Sequence, residues 1–175
     1  MSAAIQNTVP VAPLPTHTIS VFVNNKPGVL VRVALVFSRR GFNIESLVVS
    51  PGAEGRFSRM TITCSGRPED LEQVVKQLAK LVDVVHAIDH TTDQSYEVEI
   101  ALVKLDCALD ARTQILQISE HYKAQVVDFG AESVILQAHG SSEKLDALIR
   151  LLQPFKIAEL VRSGKLLMAR GRIVT

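Results

Sequence analysis

The residues best suited to bind a ligand lie in a short turn between the first predicted strand and the first predicted helix. They are Asn25, Lys26, Pro27, Gly28, Val29 and Leu30. A strand that enters a helix through a glycine exposes backbone N–H groups at the helix N-terminus, where the helix dipole also favours negative charge. Because Gly28 has no side chain, a ligand can approach its backbone closely. The turn therefore suits a carboxylate, although a plain tight strand-to-helix connection would use the same residue types.

Two further polar features lie at the other end of this helix. Asn43 begins the next predicted strand, and its amide offers both donors and an acceptor to an ammonium or a carboxylate group. An isolated asparagine at this position also suits a turn or a cap. Arg39 and Arg40 complement the helix dipole, face water or contact a partner.

The remaining reactive side chains do not have the spacing of a catalytic or metal site. His86 and His90 fall on a predicted strand, where residues four apart are separated by ~13 Å, too far for one zinc ion. Nothing local orients Cys107 toward His121 or His139, and a buried thiol usually packs as a small apolar group. Phosphate loops, dinucleotide fingerprints, nucleophile elbows and zinc-protease motifs are absent from the sequence. We therefore expect no catalytic residues and no metal site.

The elements that position the turn follow from the hydrophobic pattern of the first half. Alternating apolar residues predict strands, and apolar residues three and four apart predict helices. The predicted elements are a strand at 19–23, a helix at 30–37, strands at 42–49 and 60–64, a helix with its apolar stripe over 71–81, and a strand at 83–89. Leu30, Val33, Ala34 and Phe37 form the apolar stripe of the first helix, and Gly41 is placed to end it. This order is that of a ferredoxin-like βαββαβ unit.

The second half repeats this order. It contains a strand at 99–105, a helix at 110–122, a tight hairpin of 125–129 with 134–138, a helix capped at Ser141-Ser142, and a strand at 157–161. Glu69–Leu71 aligns with Glu143–Leu145, and Asn43-Ile44 with Gln125-Val126. The second half lacks the glycine turn, so the repeat predicts a shared topology and not a shared function. We expect an α+β protein with a flexible tail at 1–15 and two ferredoxin-like domains at 16–92 and 93–175.

Composition excludes several classes of protein. Of 175 residues, 47% are hydrophobic and 21% charged, a composition that suits a protein with a folded core. The 19 basic residues are balanced by 18 acidic ones, so the chain lacks the excess positive charge expected of a protein that binds nucleic acids or anionic membranes. Two cysteines cannot form a disulfide scaffold. An RNA-recognition sheet needs aromatic side chains on its central strands to stack on the bases, and only Phe22 is found there.

Residues 1–15 contain no basic residue, unlike a secretory or transit signal, so we expect a cytoplasmic protein that spans no membrane.

Three segments together resemble a known family, the small regulatory subunit of acetolactate synthase, also called acetohydroxyacid synthase. They are NNKPGVLVRVALVFSRRGFNIESLVV (24–49), SRMTI (58–62) and LEQVVKQLAKLVDV (71–84). The first half resembles the ACT domain of that family, a ferredoxin-like module that binds amino acids. The similarity continues through 99–105, 123–129 and 156–171. Val98 departs from it, since family members commonly carry a basic residue there.

The resemblance implies a non-catalytic subunit without cofactors of its own. Its partner would be a large catalytic subunit that carries thiamine diphosphate, Mg²⁺ and FAD and condenses pyruvate with a second 2-oxoacid. The small subunit would stimulate that enzyme and confer feedback inhibition by a branched-chain amino acid, usually valine. Two ACT domains would pair as a homodimer, with the effector held by Asn25–Leu30 of one chain and by Asn43 and Ile44 of its neighbour. The second half would serve dimerisation and partner contact. A stand-alone amino-acid sensor and a small enzyme on this scaffold remain alternatives.

Overall fold

The computed structural model describes residues 14–108, 111–172 and 175. In the first half, the elements are β1 (Thr16–Asn24), α1 (Val29–Arg39), β2 (Asn43–Pro51), β3 (Phe57–Ser65), α2 (Pro68–Ala79) and β4 (Val84–Asp89). In the second half, they are β5 (Tyr96–Asp106), α3 (Arg112–His121), β6 (Gln125–Phe129), β7 (Ser133–Gly140), α4 (Ser142–Leu152), a short 3₁₀ turn (Gln153–Phe155), β8 (Ile157–Arg162) and β9 (Leu166–Met168). Apart from residues 14 and 15, the predicted tail lies outside the described residues.

The first half forms an antiparallel sheet with strand order β2-β3-β1-β4. Ile19, Val21 and Val23 of the central strand β1 are fully buried among residues of α1 and α2, as their alternation predicts. The opposite face of the sheet is more polar, and it includes Ser20 and Thr61, both buried. The helices and the hydrophobic core therefore lie on one side of this sheet.

The buried face of α1 includes Val33 and Phe37, as predicted, but it begins at Val29 and not at Leu30. Val29 is buried and only 2% exposed, whereas Leu30 is 42% exposed, so Leu30 lies outside the buried face although the predicted stripe included it. The buried residues Val29, Val33 and Phe37 keep the spacing of four that a single helix face requires. Gly41 takes a left-handed φ of 71° just after the helix, as its predicted capping role requires.

The second half forms a sheet of the same topology, with strand order β6-β7-β5-β8. The corresponding strands occupy corresponding places, so the predicted repeat of the ferredoxin-like fold is confirmed. Ser141 caps α4 by accepting a hydrogen bond from the backbone N–H of Lys144. The sequence did not predict β9, which extends the sheet by pairing with the first residues of β5. The exact boundary between residues 92 and 93 stays a prediction.

The two halves touch across the open face of the first sheet. Lys165, just before β9, donates to Glu97 Oε2 at 2.8 Å and to Thr18 Oγ1 at 3.4 Å. Gly164 lies so close to Ser46 that a Cβ there would be 2.9 Å from the serine Cβ. His86 lies 3.2 Å from the backbone oxygen of Thr175. The segment after β8 therefore lies against the face that α1 and α2 leave uncovered.

Gly66 offers a direct test of packing in the first half. A Cβ at Gly66 would lie 2.3–2.6 Å from the ring of Phe42, which is itself buried. We expect Gly66→Ala to lower the free energy of unfolding by about 1–3 kcal/mol, because the ring must move within a packed core. Urea denaturation measures the loss, with Gly52→Ala as control because its Cβ would meet only the Phe57 carbonyl at 3.4 Å. Equal stability of the two variants would contradict this packing.

No helix in the parts of the chain covered by the structure is long and apolar enough to cross a membrane.

Candidate functional site

The turn after β1 is held by backbone and side-chain hydrogen bonds to the loop between β2 and β3. The Asn25 backbone N–H donates to the Arg56 carbonyl at 2.9 Å, and the Asn25 amide donates to the Gly55 carbonyl at 3.0 Å. Lys26 and Pro27 are exposed. The side chain of Asn25 therefore stabilises the shape of the turn.

Gly28 is the N-cap residue of α1, with φ 81° and ψ −8°. This left-handed conformation favours glycine. No side chain caps α1, and its first turn contains no acidic residue. The N–H groups of Leu30 and Val31 lie in the first turn of the helix, where no acceptor exists within the helix. This helix start is therefore open to an anionic group.

Asn43 belongs to a small polar group at the start of β2 that the sequence analysis missed. The Asn43 amide donates to Glu45 Oε1 at 2.8 Å, and the Ser65 hydroxyl donates to the same oxygen at 2.7 Å. These two hydrogen bonds hold the pKa of the Glu45 carboxyl below its usual value, and the bond from Ser65 has the larger effect. Glu45 therefore keeps a negative charge beside Asn43. Ile44 is half-buried and packs against the core.

The turn and Asn43 lie at opposite ends of the first sheet. Asn24 pairs with Phe57 of β3, whereas Asn43 pairs with Ser65 at the other end of the same strand. Those two partners lie eight positions apart along an extended strand, a distance of ~26 Å. A single chain therefore does not bring the two groups of predicted site residues together.

The rejected catalytic and metal pairs are also separated or engaged elsewhere. His90 lies 2.8 Å from the Ser20 hydroxyl through Nε2 and 3.1 Å from Asp93 through Nδ1. Cys107 follows β5 beside Glu132, at the opposite end of β7 from His139. Within the described ranges, no three His, Cys, Asp or Glu side chains form a group that could hold a metal ion. Burial raises the pKa of the other thiol, Cys64, to about 12, so it stays protonated at neutral pH.

Comparisons with known proteins agree with the resemblance. Residues 19–86 match the family model of the AHAS small subunit-like ACT domain, and residues 98–171 match that of the small subunit of acetolactate synthase. The acetolactate synthase small subunit of Mycobacterium leprae is 45% identical over 158 residues, which cover 90% of this chain and 94% of that protein. The chain belongs to the acetolactate synthase small-subunit family.

More distant members of the family agree over nearly the whole length. A probable small subunit from Archaeoglobus fulgidus is 42% identical over 89% of this chain and 97% of its own. The crystal structure of the small subunit from Thermotoga maritima aligns with a TM-score of 0.81 and 33% identity, covering 91% of this chain and 100% of that one. The α+β fold of two ferredoxin-like units, the first an ACT domain, is therefore that of the family.

Proposed function

We propose that this chain is the non-catalytic regulatory subunit of an acetolactate synthase. It stimulates a large catalytic subunit and makes that enzyme sensitive to feedback inhibition by a branched-chain amino acid, with valine as the effector. The observation that carries the proposal is the 45% identity to a small subunit over 90% of the chain. The partner supplies thiamine diphosphate, Mg²⁺ and FAD, and both subunits work in the cytoplasm.

The effector site in this proposal is shared by two copies of the chain. β2 is an edge strand, with β3 on one side only among the elements described here. If two β2 strands pair antiparallel in full register, with the two-fold axis at Leu47, Asn43 of one copy lies beside Pro51 of the other. Pro51 pairs with Ser58, next to Phe57, and is therefore level with the start of the turn in its own chain. A β2–β2 dimer brings Asn43 of one copy to the end of the sheet that holds the turn of the other.

The side of α1 near this edge supports the same pairing. Arg32 forms an ion pair with Asp83 beyond α2, so this side of α1 faces the second helix. Leu30 and Ala34 lie on the opposite side of α1, since successive residues turn by about 100°. That side faces β2, beside which α1 packs. The exposed Leu30 is thus placed to line an apolar pocket between the two copies.

The chemistry of the two half-sites is complementary to that of an amino acid. The open N–H groups of α1 suit the effector carboxylate, and the helix dipole adds to that attraction. The Asn43 amide and the ionised Glu45 suit its ammonium group. Val29, Leu30 and Ile44 supply aliphatic surface for a branched side chain.

The second half contributes dimerisation and contact with the catalytic subunit in this proposal. Ile100, Leu102 and Val161 are exposed, and the pairing of Leu102 with Val161 places them on one face of the second sheet. Contiguous exposed aliphatic residues commonly mark protein–protein contacts.

Reconstitution tests the proposed function directly. The purified chain, mixed with its acetolactate synthase large subunit, should raise the rate of acetolactate formation, and added valine should lower that rate. The chain alone should not consume pyruvate. Valine binding without any effect on acetolactate formation would instead favour the stand-alone sensor, and turnover by the chain alone would favour the small enzyme.

Glu45 provides a prediction specific to this site. We expect Glu45→Gln to raise the Kd for valine by about three- to tenfold, because the carboxylate orients the Asn43 amide and faces the effector ammonium at an exposed position. Calorimetric titration with valine measures this change. Glu72→Gln is the control, since Glu72 pairs with Lys76 on the surface of α2. An unchanged Kd in Glu45→Gln would remove Glu45 from the site.

A further inference from the structure

A cavity of about 590 Å³ lies on the face of the first sheet that α1 and α2 leave uncovered. Phe22 of β1, Val48 of β2 and Thr61 of β3 line one side of it, and residues at the start of β5 and in β9 line the other. Phe22 comes three residues before Asn25, so the cavity lies near the end of the sheet that holds the turn, but none of the residues assigned to the effector site is among the described residues that line it. It is therefore separate from the proposed effector site, and the inference goes beyond the proposed function.

The walls of the cavity are mainly apolar, and among the described residues Arg59 is the one charged residue that lines it. The Arg59 guanidinium carbon lies 5.5 Å from the centre of the Phe22 ring, in a cation–π contact. Among the described residues, Arg59 forms no ion pair with a carboxylate. The guanidinium is thus positioned at an apolar cavity with its hydrogen-bond donors available to an anion.

The lining also excludes a free amino acid as the best ligand. In the part of the chain that the structure describes, no acidic side chain borders the cavity, and its other polar side chains are the hydroxyls of Ser50, Thr61 and Tyr96. An ammonium group would lose water here without gaining a negative partner. A single anionic head group, in contrast, meets the planar donors of Arg59, which match a carboxylate. The volume falls in the range of small-molecule sites and leaves room for an extended apolar body.

We propose that this cavity binds a medium-chain aliphatic carboxylate. Arg59 holds the carboxylate, and the hydrocarbon chain lies between Phe22 on one side and Leu167 and Met168 on the other. The binding energy comes from two sources, burial of the hydrocarbon chain and the charge-assisted hydrogen bonds of Arg59.

Octanoate is the probe, used with the full chain in the absence of valine and of the catalytic subunit. Calorimetry should show saturable binding of octanoate, and 1-octanol, which lacks the charge, should bind at least about tenfold more weakly. With methyl-labelled methionine, NMR should show a shift of Met168, which lines the cavity, and not of Met60, which is buried in the core on the other face of the sheet. No binding at millimolar octanoate, or a shift confined to Met60, would overturn the proposal.

Two substitutions test separately what the charge of Arg59 and the apolar wall contribute to octanoate binding. Arg59→Met should weaken octanoate binding at least about tenfold, whereas Arg56→Met, which lies outside the cavity lining, should leave it unchanged. Leu166→Glu places a carboxylate in the wall at a residue 41% exposed, so it should fold and should also weaken binding. Equal octanoate binding by Arg59→Met and Arg56→Met would contradict the assignment of Arg59. Because neither valine nor the catalytic subunit is present, failure here leaves the proposed function untouched.

Discussion

Replacing Gly28 by aspartate should raise the Kd for valine by at least about 100-fold while the chain still stimulates the catalytic subunit. Gly28 is the N-cap residue of α1, so an aspartate there places a carboxylate beside the N–H groups of the first helical turn. Those N–H groups are the donors that the proposal assigns to the effector carboxylate. The introduced carboxylate would occupy the donors and repel the ligand, and each lost charge-assisted hydrogen bond costs about 1.5–3 kcal/mol.

The same substitution should leave the fold intact. A Cβ at Gly28 would lie 3.5 Å from the Arg32 guanidinium, which is an ordinary contact, but the left-handed φ of 81° strains a side chain there. Aspartate and asparagine tolerate this φ better than most other residues. Calorimetry gives the valine affinity, and reconstituted acetolactate formation gives stimulation. Gly28→Asn is the matched control for size, and it should weaken binding less. Normal inhibition by valine in Gly28→Asp would remove the turn from the effector site.

The part of this architecture that the sequence could predict is encoded locally. The alternation of Ile19, Val21 and Val23 reports which face of β1 is buried, because side chains of a strand point to opposite faces in turn. Gly28 and Gly41 indicate where α1 begins and ends, because both positions need a left-handed φ, which glycine adopts readily. Leu30 was placed in the apolar stripe because it lies three residues before Val33, but α1 starts at Val29, which lies four residues before Val33 and takes the buried position.

The features that escaped prediction depend on residues far apart in the sequence. β9 has only three residues, and it is a strand because it pairs with the start of β5. Ser65 and Asn43 meet at Glu45 only because β2 and β3 are paired. Phe57, left outside the predicted third strand, stacks on Phe22 at 5.1 Å, so this face carries more aromatic surface than the sequence predicted. None of these contacts leaves a periodic signal in the sequence.

The separation of the turn from Asn43 within one chain has a thermodynamic consequence. A ligand that bridges two copies binds the dimer and not the monomer, so valine should strengthen the association of the chains by mass action. Such linkage allows a small molecule to favour one arrangement of the pair, with a coupling free energy of about 1–3 kcal/mol in typical allosteric proteins. The proposed regulation therefore depends on whether the site is truly shared.

Mixing Gly28→Asp with Asn43→Ala, each of which should weaken valine binding, should restore sites of wild-type affinity. Gly28→Asp damages the turn and keeps Asn43, whereas Asn43→Ala keeps the turn. In a mixed dimer, one site then contains both lesions and the other contains neither. After subunit exchange of an equal mixture, about half of the dimers are mixed, so about one quarter of all sites should bind valine with wild-type affinity. Calorimetric stoichiometry measures that fraction, and each variant alone gives the baseline.

A chain that carries both substitutions supplies the control. In an equal mixture with the wild type, a mixed dimer has one lesion in each shared site, so only wild-type pairs bind and about one quarter of all sites remain. A site formed within one chain would instead leave about half of the sites active in this mixture and would restore none in the mixture of single variants. The two mixtures together therefore decide whether Asn43 serves the turn of its own chain or that of its neighbour.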